Sequence, residues 1–406
     1  MQIKVLYNES HTNYNKKFKP QGGPSRFASG FREFFLFQEK FSLCPILFSH
    51  GDNCKPKIKK TSTKNGIFSE LVYDKKIITS VYKENITKSA LIKYLKPFLD
   101  ELNTFIIKEK PDVVFLNGFS LSNWMLMYSA HKIGVPIVIQ HAGIWKKEVR
   151  RTKVSFSPEM KRIFYDMERD TVRWCSNHIF LNNFSKEIFS DLYKGVWNRK
   201  KQFEIIPLPI ESKIFPFKKP KVYNDESDLD IGVVARWDGI KNHRAILRLA
   251  NAISKEQKWK IHTVTNISPI TSEIELAKKY TAKVNICAPM SPEKLTDFYR
   301  SMDLILMLSN FDVSPTVVAE SVLAGTPVII SDQVGWKDKF VTLELSDHIV
   351  SNNVSGKKLK NVIDQLMSKQ EVNINKYKNL QDYIEKNHNP VKVFRKYASV
   401  FSLISK

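Results

Sequence analysis

The sequence predicts an α/β protein built from two doubly wound parallel-sheet domains. Short apolar strand patterns alternate with helical patterns through both halves of the chain, which is typical of parallel sheets with crossover helices. A chain of 406 residues is also too long for one ordinary hydrophobic core. The polar segment 215–230 contains two prolines and no periodicity, as expected for a linker between domains.

The first half begins directly with a strand and ends with a short strand before the linker. Its predicted strands are 3–7, 45–49, 112–116, 136–140, 178–181 and 204–206. Its predicted helices are 26–40, 88–109, 122–133, 157–175 and 185–193. Between the second strand and the helix that starts at 88, the lysine-dense segment 51–66 is typical of a solvated loop.

The second half repeats the alternation and ends in helices. Its predicted strands are 231–235, 260–264, 283–287, 304–308 and 328–330. Its predicted helices are 243–255, 272–281, 291–301, 315–324 and 356–369, followed by two more between 374 and 406. We therefore predict domains at 1–215 and 216–385, with a C-terminal helix in 386–406 that packs back on the first domain.

The segment 303–332 contains a candidate binding turn between two strands. Ser314 is a good N-cap, and Pro315 suits the first helical position because its missing N–H would have no partner there. Gly325 suits the left-handed residue after the helix. A helix N-terminus after a loop offers N–H groups to an anion or a sugar hydroxyl, and Asp312 and Glu320 flank this turn. An ordinary crossover with solvent-facing carboxylates is the alternative.

Charge and cysteine content restrict the class of protein. The formal net charge is +23, and residues 1–210 carry +16 of it. This asymmetry favours an anionic partner such as a membrane surface, a phosphorylated lipid or polymer, or nucleic acid, although a general lysine bias would produce it too. The four cysteines lack metal-ligand spacing, there is no signal-peptide core, and no apolar run is long enough to span a membrane. We therefore expect a cytoplasmic protein.

Arg236 and Lys241 follow the first strand of the second half. Both would project from the carboxyl edge of a parallel sheet, where open α/β proteins bind ligands. Cations at this place would neutralise a diphosphate leaving group without a metal ion. The sequence contains no Asp-x-Asp pair placed to hold a metal, no Walker-type loop and no zinc spacing.

Two features of the first half have both a functional and a structural interpretation. Gly22 and Gly23 lie between a strand and a helix, where they would let the backbone approach a ligand or would simply form a flexible turn. His141 ends a parallel strand, either facing a ligand or capping the strand end.

Together these motifs resemble a GT-B glycosyltransferase. The Arg-x4-Lys of VVARWDGIKNH, followed about seventy residues later by an acidic-x7-Glu helix, resembles the retaining family four, which includes sucrose synthase and bacterial mannosyltransferases. The segments DVVFLNGFSLSNW, IVIQHAGIW, HIFLNNFSKEIF, EIIPLPIESKIF and SPEKLTDFYRSMDLILMLS are similar to other parts of that family. The resemblance covers nearly the whole chain and implies two Rossmann-like domains that face each other across a cleft. The first would bind the acceptor and the second the nucleotide sugar.

The resemblance also implies residue roles. Arg236 and Lys241 would hold the donor diphosphate, Asp312 the sugar hydroxyls, and Glu320 the ribose hydroxyls. His141 would position the donor sugar or acceptor near the reacting centre. The remaining implied donor contacts are backbone groups of Gly22, Gly23, Ser314, Pro315, Thr316 and Val317. Neither a metal ion nor another cofactor is implied.

This sequence departs from the family pattern at three places. Asp312 replaces the usual glutamate, and Asn242 follows Lys241 where glycine is usual. Pro207-Leu208-Pro209 stands where a Pro-Asn-Gly turn is frequent. These departures affect the choice of donor sugar and the shape of the loops.

The predicted function is retaining transfer of a sugar from a nucleoside-diphosphate sugar to a lipid-linked or polysaccharide acceptor in surface glycan synthesis. The enzyme would work in the cytoplasm, either free or peripherally on the inner face of the membrane. Transfer to nucleic acid or protein is one alternative, with nucleic acid ranked lower because no base-reading motif is present. The other is a non-catalytic GT-B binding subunit.

Overall fold

The computed structural model describes residues 2–9, 23–63, 66–82, 84–149, 156–197, 202–216, 218–219, 228–253, 258–265 and 284–405. These residues form two compact units. The first combines the described residues up to Pro209 with those from Val391 onward, and the second runs from Ile210 to Pro390. The chain thus divides a few residues before the boundary we placed at 215. The C-terminal helix belongs to the first unit.

The first unit contains an eight-stranded sheet in its described part, in the order β3-β4-β2-β1-β5-β6-β7-β8. Neighbouring strands are parallel, except that β3 and β4 form an antiparallel hairpin. The strands are β1 Ile3–Asn8, β2 Phe41–Gly51, β3 Lys57–Thr63, β4 Gly66–Asp74, β5 Val113–Asn117, β6 Ile137–His141, β7 Asn177–Phe180 and β8 Gln202–Ile205.

Helices connect these strands and cover the sheet. They are Gly23–Leu36, Lys75–Val81, Lys88–Tyr94, Lys96–Glu109, Leu121–Ile133, Trp145–Glu148, Pro158–Trp174, Asn183–Leu192 and Pro390–Ile404. The single helix that we predicted over 88–109 is two helices, which meet at Leu95. Pro97 lies in the first turn of the second helix, where its missing N–H needs no partner, and inside one continuous helix it would remove a hydrogen bond.

The lysine-dense segment 51–66 is not a single loop, because Lys57–Thr63 within it forms the edge strand β3. Lys59 pairs with Glu70 of the neighbouring strand at 3.3 Å, and Lys60 lies 3.2 Å from Glu109. Lysines along an exposed sheet edge discourage the addition of another strand. The sequence did not predict this strand because an edge strand rich in charge lacks the continuous apolar run of an inner parallel strand.

The second unit contains a six-stranded parallel sheet in its described part, in the order β11-β10-β9-β12-β13-β14. Its strands are β9 Asp230–Val234, β10 Lys260–Val264, β11 Val284–Cys287, β12 Leu304–Met307, β13 Val328–Ser331 and β14 Ile349–Val350. Its helices are His243–Ala252, Pro292–Ser301, Thr316–Leu323, Lys337–Thr342, Gly356–Met367 and Gln370–Asn387. The helix predicted over 272–281 lies outside the described residues, and the short strand β14 was not predicted.

Both sheets have the doubly wound strand order of dinucleotide-binding folds. Counted from β9, the second sheet runs 3-2-1-4-5-6, and the inner parallel strands of the first sheet follow the same order. In such sheets the crossovers leave in opposite directions on either side of the first strand, which opens a crevice at the carboxyl ends. In the second unit this crevice lies between β9 and β12. The predicted α/β class is confirmed.

Aromatic packing joins the C-terminal helix to the first sheet. Phe31 stacks on Phe115 of β5 with ring centroids 5.0 Å apart, and Phe401 lies 5.5 Å from the same ring. The hydroxyl of Tyr397 donates to the side-chain oxygen of Gln140 in β6, and both residues are buried. This helix therefore supplies part of the core that packs against β5 and β6.

Gly325 terminates the helix Thr316–Leu323 in the left-handed conformation that the sequence predicted, with φ of +83°. The N–H of Gly325 donates to the carbonyl of Val322, and the N–H of Thr326 donates to that of Ser321, both at 3.0 Å. This pair of bonds is the Schellman arrangement. It turns the chain sharply into β13.

Replacing Gly325 with alanine is expected to destabilise the second unit by about 2–4 kcal/mol. A Cβ there would lie 2.7 Å from the carbonyl oxygen of Lys219, and the backbone would be strained as well. Gly134→Ala is the matched control, because Gly134 has φ of +85° but nothing within 4 Å of the added carbon. Urea unfolding of both variants measures the difference. Equal losses of stability would show that the contact with Lys219 has no energetic effect.

Candidate functional site

The loop that follows β9 is organised around Asp238. One of its carboxylate oxygens accepts the N–H groups of Ile240 at 3.1 Å and Lys241 at 3.0 Å. The other oxygen lies 3.4 Å from the guanidinium of Arg236, whose side chain is 68% exposed. The loop backbone is therefore fixed from within, while the Arg236 head group extends into solvent at the carboxyl edge of the sheet.

Lys241 and Asp312 form an ion pair between the loops that follow β9 and β12. The lysine ammonium donates to a carboxylate oxygen of Asp312, and the two side chains are only 17% and 16% exposed. The backbone of Asp312 is held on both sides, since its N–H donates to Gln333 and its carbonyl accepts from Gly335. Two predicted site residues, 71 positions apart, thus meet at the crevice of the second sheet.

The resemblance assigns Lys241 to the diphosphate and Asp312 to the sugar hydroxyls, and in the structure these two side chains are paired. The ammonium of lysine has three N–H donors, so Lys241 can bind Asp312 and a phosphate oxygen together. Asp312 keeps oxygen lone pairs for sugar hydroxyls. The geometry thus places a cation and an acceptor of hydroxyl protons side by side.

The helix after Asp312 begins at Thr316, with Pro315 as its N-cap and no side-chain capping bond. The prediction that Ser314 is the N-cap is wrong by one residue. Pro315 is extended, with ψ of 121°, so the helix starts one residue later. Its carbonyl accepts the indole N–H of Trp336 at 3.0 Å. The backbone N–H groups of Thr316 and Val317 lie at this N-terminus, where the helix dipole favours negative charge.

Glu320 lies on the inner side of the same helix and is 1% exposed. Its carboxylate accepts the hydroxyl of Tyr299 at 2.8 Å, and Tyr299 is fully buried as well. This carboxylate therefore links two helices within the core of the second unit. The role of Glu320 toward ribose hydroxyls stays a prediction.

We expect Glu320→Ala to lower the free energy of unfolding by about 2–4 kcal/mol, because it leaves a cavity and a buried Tyr299 hydroxyl without its acceptor. Tyr299→Phe removes the same hydrogen bond with little change in volume and should cost less. A double-mutant cycle measured by urea unfolding separates the two terms. Full stability of Glu320→Ala would contradict this account of the contact.

His141 is buried at the carboxyl end of β6. One of its ring nitrogens lies 3.0 Å from a ring nitrogen of His178, and the ring stacks on Phe180 with centroids 4.5 Å apart. Burial and the neighbouring His178 hold the pKa of His141 well below its ordinary value. The imidazole is therefore neutral, and its observed contacts are those of a packed strand-end residue. Its predicted role in positioning a substrate stays a prediction.

The predicted glycine pair is only partly described. Gly22 lies outside the described residues, and Gly23 begins the helix Gly23–Leu36 that follows β1.

Glu168 is a buried residue that our sequence analysis did not single out. Its carboxylate accepts the backbone N–H groups of Trp145 at 2.6 Å and Lys146 at 3.0 Å, together with the Tyr193 hydroxyl. It thereby fixes the short helix that follows His141. The sequence does contain a signal for the burial of Glu168, because this residue lies four positions after Phe164 on the apolar face of its helix.

Burial raises the pKa of Glu168 to about 7, although its three hydrogen bonds oppose the shift. The folded-state pKa thus exceeds the unfolded value, so the contribution of Glu168 to stability is fully present below about pH 4.5 and is lost as pH rises to about 7. Between pH 5 and 8 the wild type should lose about 2 kcal/mol more stability than Glu168→Gln. Urea unfolding at both pH values measures the difference in free energy of unfolding. Glu187→Gln is the control, because Glu187 is exposed. Parallel pH profiles for wild type and Glu168→Gln would refute the shift.

Other features of the described residues bear on partners. They contain no cluster of three or more His, Cys, Asp or Glu side chains arranged for a metal ion. None of the four cysteines forms a disulfide. Trp145 and Phe156 pack against each other and against Phe164 in the core. Within the same part of the chain, no helix combines the length and apolar character needed to cross a membrane.

Comparison with known proteins agrees with this geometry. Residues 215–387 match the family of glycosyl transferases group 1. A segment of 111 residues is 32% identical to EpsF of Bacillus subtilis (strain 168), whose name provisionally assigns it to the glycosyltransferases. That segment covers 27% of this chain and 29% of EpsF, so the similarity spans less than a third of this curated relative.

Solved structures resemble the whole chain in fold. A sucrose-phosphate synthase from Thermosynechococcus elongatus has a TM-score of 0.72 at 14% identity, covering 99% of both chains. An E. coli structure described as trehalose-6-phosphate bound with UDP-2-fluoro glucose has a TM-score of 0.72 at 13% identity over 98% of both. Anabaena Alr3699/HepE in complex with UDP has a TM-score of 0.64 at 11% identity, covering 99% of this chain and 100% of that one. Residues 215–387 thus resemble the group 1 glycosyl transferases, and the chain as a whole has the GT-B fold.

Proposed function

We propose that this protein is a retaining glycosyltransferase that uses a nucleoside-diphosphate sugar and a lipid-linked or polysaccharide acceptor. The observation that carries the proposal is the Lys241–Asp312 ion pair in the crevice between β9 and β12. This pair combines a cation for phosphate with a carboxylate for sugar hydroxyls at the place where doubly wound sheets bind nucleotides. The match of residues 215–387 to the group 1 family supports the same conclusion.

In this proposal the charges of the second unit stabilise the departing diphosphate. As the bond from the anomeric carbon to the diphosphate oxygen breaks, negative charge grows on the phosphate, where Arg236 and Lys241 neutralise it. The N-terminus of the helix Thr316–Leu323 adds its dipole. The acceptor oxygen bonds to the anomeric carbon, and its proton passes to the departing diphosphate. We propose that no metal ion is needed, and undiminished transfer in excess EDTA is the expected result.

The remaining donor contacts follow the family resemblance. Asp312 would bind sugar hydroxyls and Glu320 the ribose. Retention of anomeric configuration likewise follows from the resemblance to family four, and NMR of the product tests it. UDP in the Anabaena structure and UDP-2-fluoro glucose in the E. coli structure support a nucleoside-diphosphate sugar as the donor.

The basic first half supports an anionic acceptor or surface. Residues 1–210 carry +16 of the net charge of +23. A phosphorylated lipid carrier on the inner face of a membrane offers such a surface, and lysine and arginine near anionic lipid each contribute about 1 kcal/mol. We propose that the enzyme acts there in surface glycan synthesis.

The test is a turnover panel that crosses nucleoside-diphosphate sugars with three acceptor classes: polyprenyl-phosphate-linked saccharides, free polysaccharides and nucleic acid. The expected result is transfer to the lipid-linked or polysaccharide class. Transfer to nucleic acid alone would replace the proposed acceptor, and absence of turnover with every pair would favour a binding subunit. Co-sedimentation with liposomes tests the surface, since equal binding to neutral and anionic vesicles would contradict electrostatic attachment.

A further inference from the structure

Asn242, which follows Lys241, has a left-handed backbone with φ of 56°. This conformation costs most residues roughly 1–2 kcal/mol, whereas glycine adopts it freely and asparagine tolerates it. The backbone therefore explains why glycine is usual at this position in the family that the chain resembles. It does not explain why this chain has asparagine.

The side chain of Asn242 supplies what a glycine would lack. Its amide nitrogen donates two hydrogen bonds, to the carbonyl of Leu308 at 3.0 Å and to the carbonyl of Asn352 at 2.8 Å. Leu308 begins the loop that follows β12, and Asn352 follows β14. The residue is only 8% exposed, so these bonds are shielded from water. One side chain thus ties together the loops that leave three strands of the second sheet.

Two further asparagines extend this connection. Asn310 donates its backbone N–H to Ile240 at 2.7 Å and its side-chain amide to Gly239 at 2.9 Å. The amide of Asn352 in turn donates to the side-chain oxygen of Asn310 at 3.3 Å. We call Asn242, Asn310 and Asn352 the asparagine clasp.

Members of the clasp lie close in the chain to both partners of the ion pair. On one side, Asn242 directly follows Lys241. On the other, Asn310 lies two positions before Asp312. A free lysine side chain loses up to about 2 kcal/mol of rotamer entropy when it is immobilised, so a rigid loop and a fixed carboxylate lower the cost of placing its ammonium.

We propose that the asparagine clasp is a positioning device for Lys241, and that Asn242 replaces the backbone freedom of glycine with a fixed orientation of the lysine toward the donor diphosphate. Asn242 acts through Lys241 and does not itself touch the substrate. This inference rests on the proposed function, because it assigns the diphosphate to Lys241.

The decisive variant is Asn242→Gly, which keeps the left-handed backbone accessible and removes both side-chain hydrogen bonds. We expect it to weaken binding of UDP, GDP or ADP, whichever binds the wild type most tightly, by roughly five- to tenfold. KM for the sugar donor should rise with it, whereas KM for the acceptor should not change. Asn242→Asp should bind at least as weakly, because a carboxylate cannot donate to the Leu308 and Asn352 carbonyls.

Asn53→Gly is the matched control, since Asn53 also has a left-handed backbone, with φ of 49°, but is exposed and belongs to the first unit. It should leave nucleotide binding unchanged. Asn310→Ala, which loses its side-chain bonds to Gly239 and Asn352 and keeps the backbone bond to Ile240, provides a second test if Asn242→Gly folds poorly. It should weaken nucleotide binding in the same direction.

The two levels of the proposal fail differently. If Asn242→Gly and Asn310→Ala lower Tm but bind the nucleotide as the wild type does, the clasp is only structural and this inference is overturned. Loss of turnover in Lys241→Ala under the same conditions would leave the proposed function standing. If Lys241→Ala also binds and turns over normally, the diphosphate site itself is wrong.

Discussion

Replacing Lys241 with alanine is expected to lower kcat/KM for the nucleoside-diphosphate sugar by roughly 100- to 1,000-fold. The ammonium would neutralise charge that develops on the diphosphate as the sugar leaves, so its loss removes stabilisation that is largest in the transition state. Asp312, left without its cation and only 16% exposed, would also repel the phosphates. Both effects act in the same direction.

The control for this variant is Lys357→Ala, which removes an exposed lysine from the helix Gly356–Met367 of the same unit. It should retain wild-type turnover, and circular dichroism should show both variants folded. A folded Lys241→Ala enzyme that keeps at least half of wild-type kcat/KM would refute the assignment.

Replacing Asp312 with asparagine is expected to reduce kcat/KM by roughly 100-fold, for two reasons. The amide no longer pairs with the charge of Lys241, and it accepts sugar hydroxyls more weakly than a carboxylate does. Asp312→Glu keeps the charge but lengthens the side chain by one methylene. That variant should therefore keep nucleotide binding while shifting the preference among donor sugars.

Asp338→Asn serves as the control, because Asp338 is an exposed carboxylate in the first turn of the helix Lys337–Thr342. Turnover with a panel of donor sugars measures the effect. If Asp312→Glu has the wild-type order of donor preference, then Asp312 serves Lys241 alone and does not select the sugar.

The inner strands and the helix ends could be predicted from the sequence because the patterns that mark them are local. Inner parallel strands such as β5 and β12 are continuous apolar runs, and Gly325 marks the end of a helix by backbone chemistry alone. The edge strand β3 has no such signal, since its lysines face solvent.

For the candidate site, the sequence predicted which residues lie at strand ends but not which of them are in contact. Arg236, Lys241 and Asp312 could be placed at strand ends, but the contact between Lys241 and Asp312 depends on β9 and β12 being neighbours across the sheet. The burial of Glu320 against Tyr299 likewise depends on how two helices pack. Such contacts come from tertiary structure, and no local pattern contains them.

The structure gives a physical reason for Asn242, which departs from the family pattern. In the sequence it is a substitution for glycine. In the structure the same residue keeps the left-handed backbone and adds two buried hydrogen bonds. The physical reason for the residue lies in the loops after β12 and β14, which are distant in sequence.

Titration calorimetry of the whole chain with nucleoside mono- and diphosphates is the most direct test of the central claim, which is that the crevice of the second sheet binds a nucleoside diphosphate through Lys241. The account predicts that one nucleoside diphosphate binds once per chain, that its monophosphate binds more weakly, and that Lys241→Ala weakens the diphosphate by at least about tenfold. Failure of every nucleotide to bind the wild type, or equal affinity in Lys241→Ala, would contradict it.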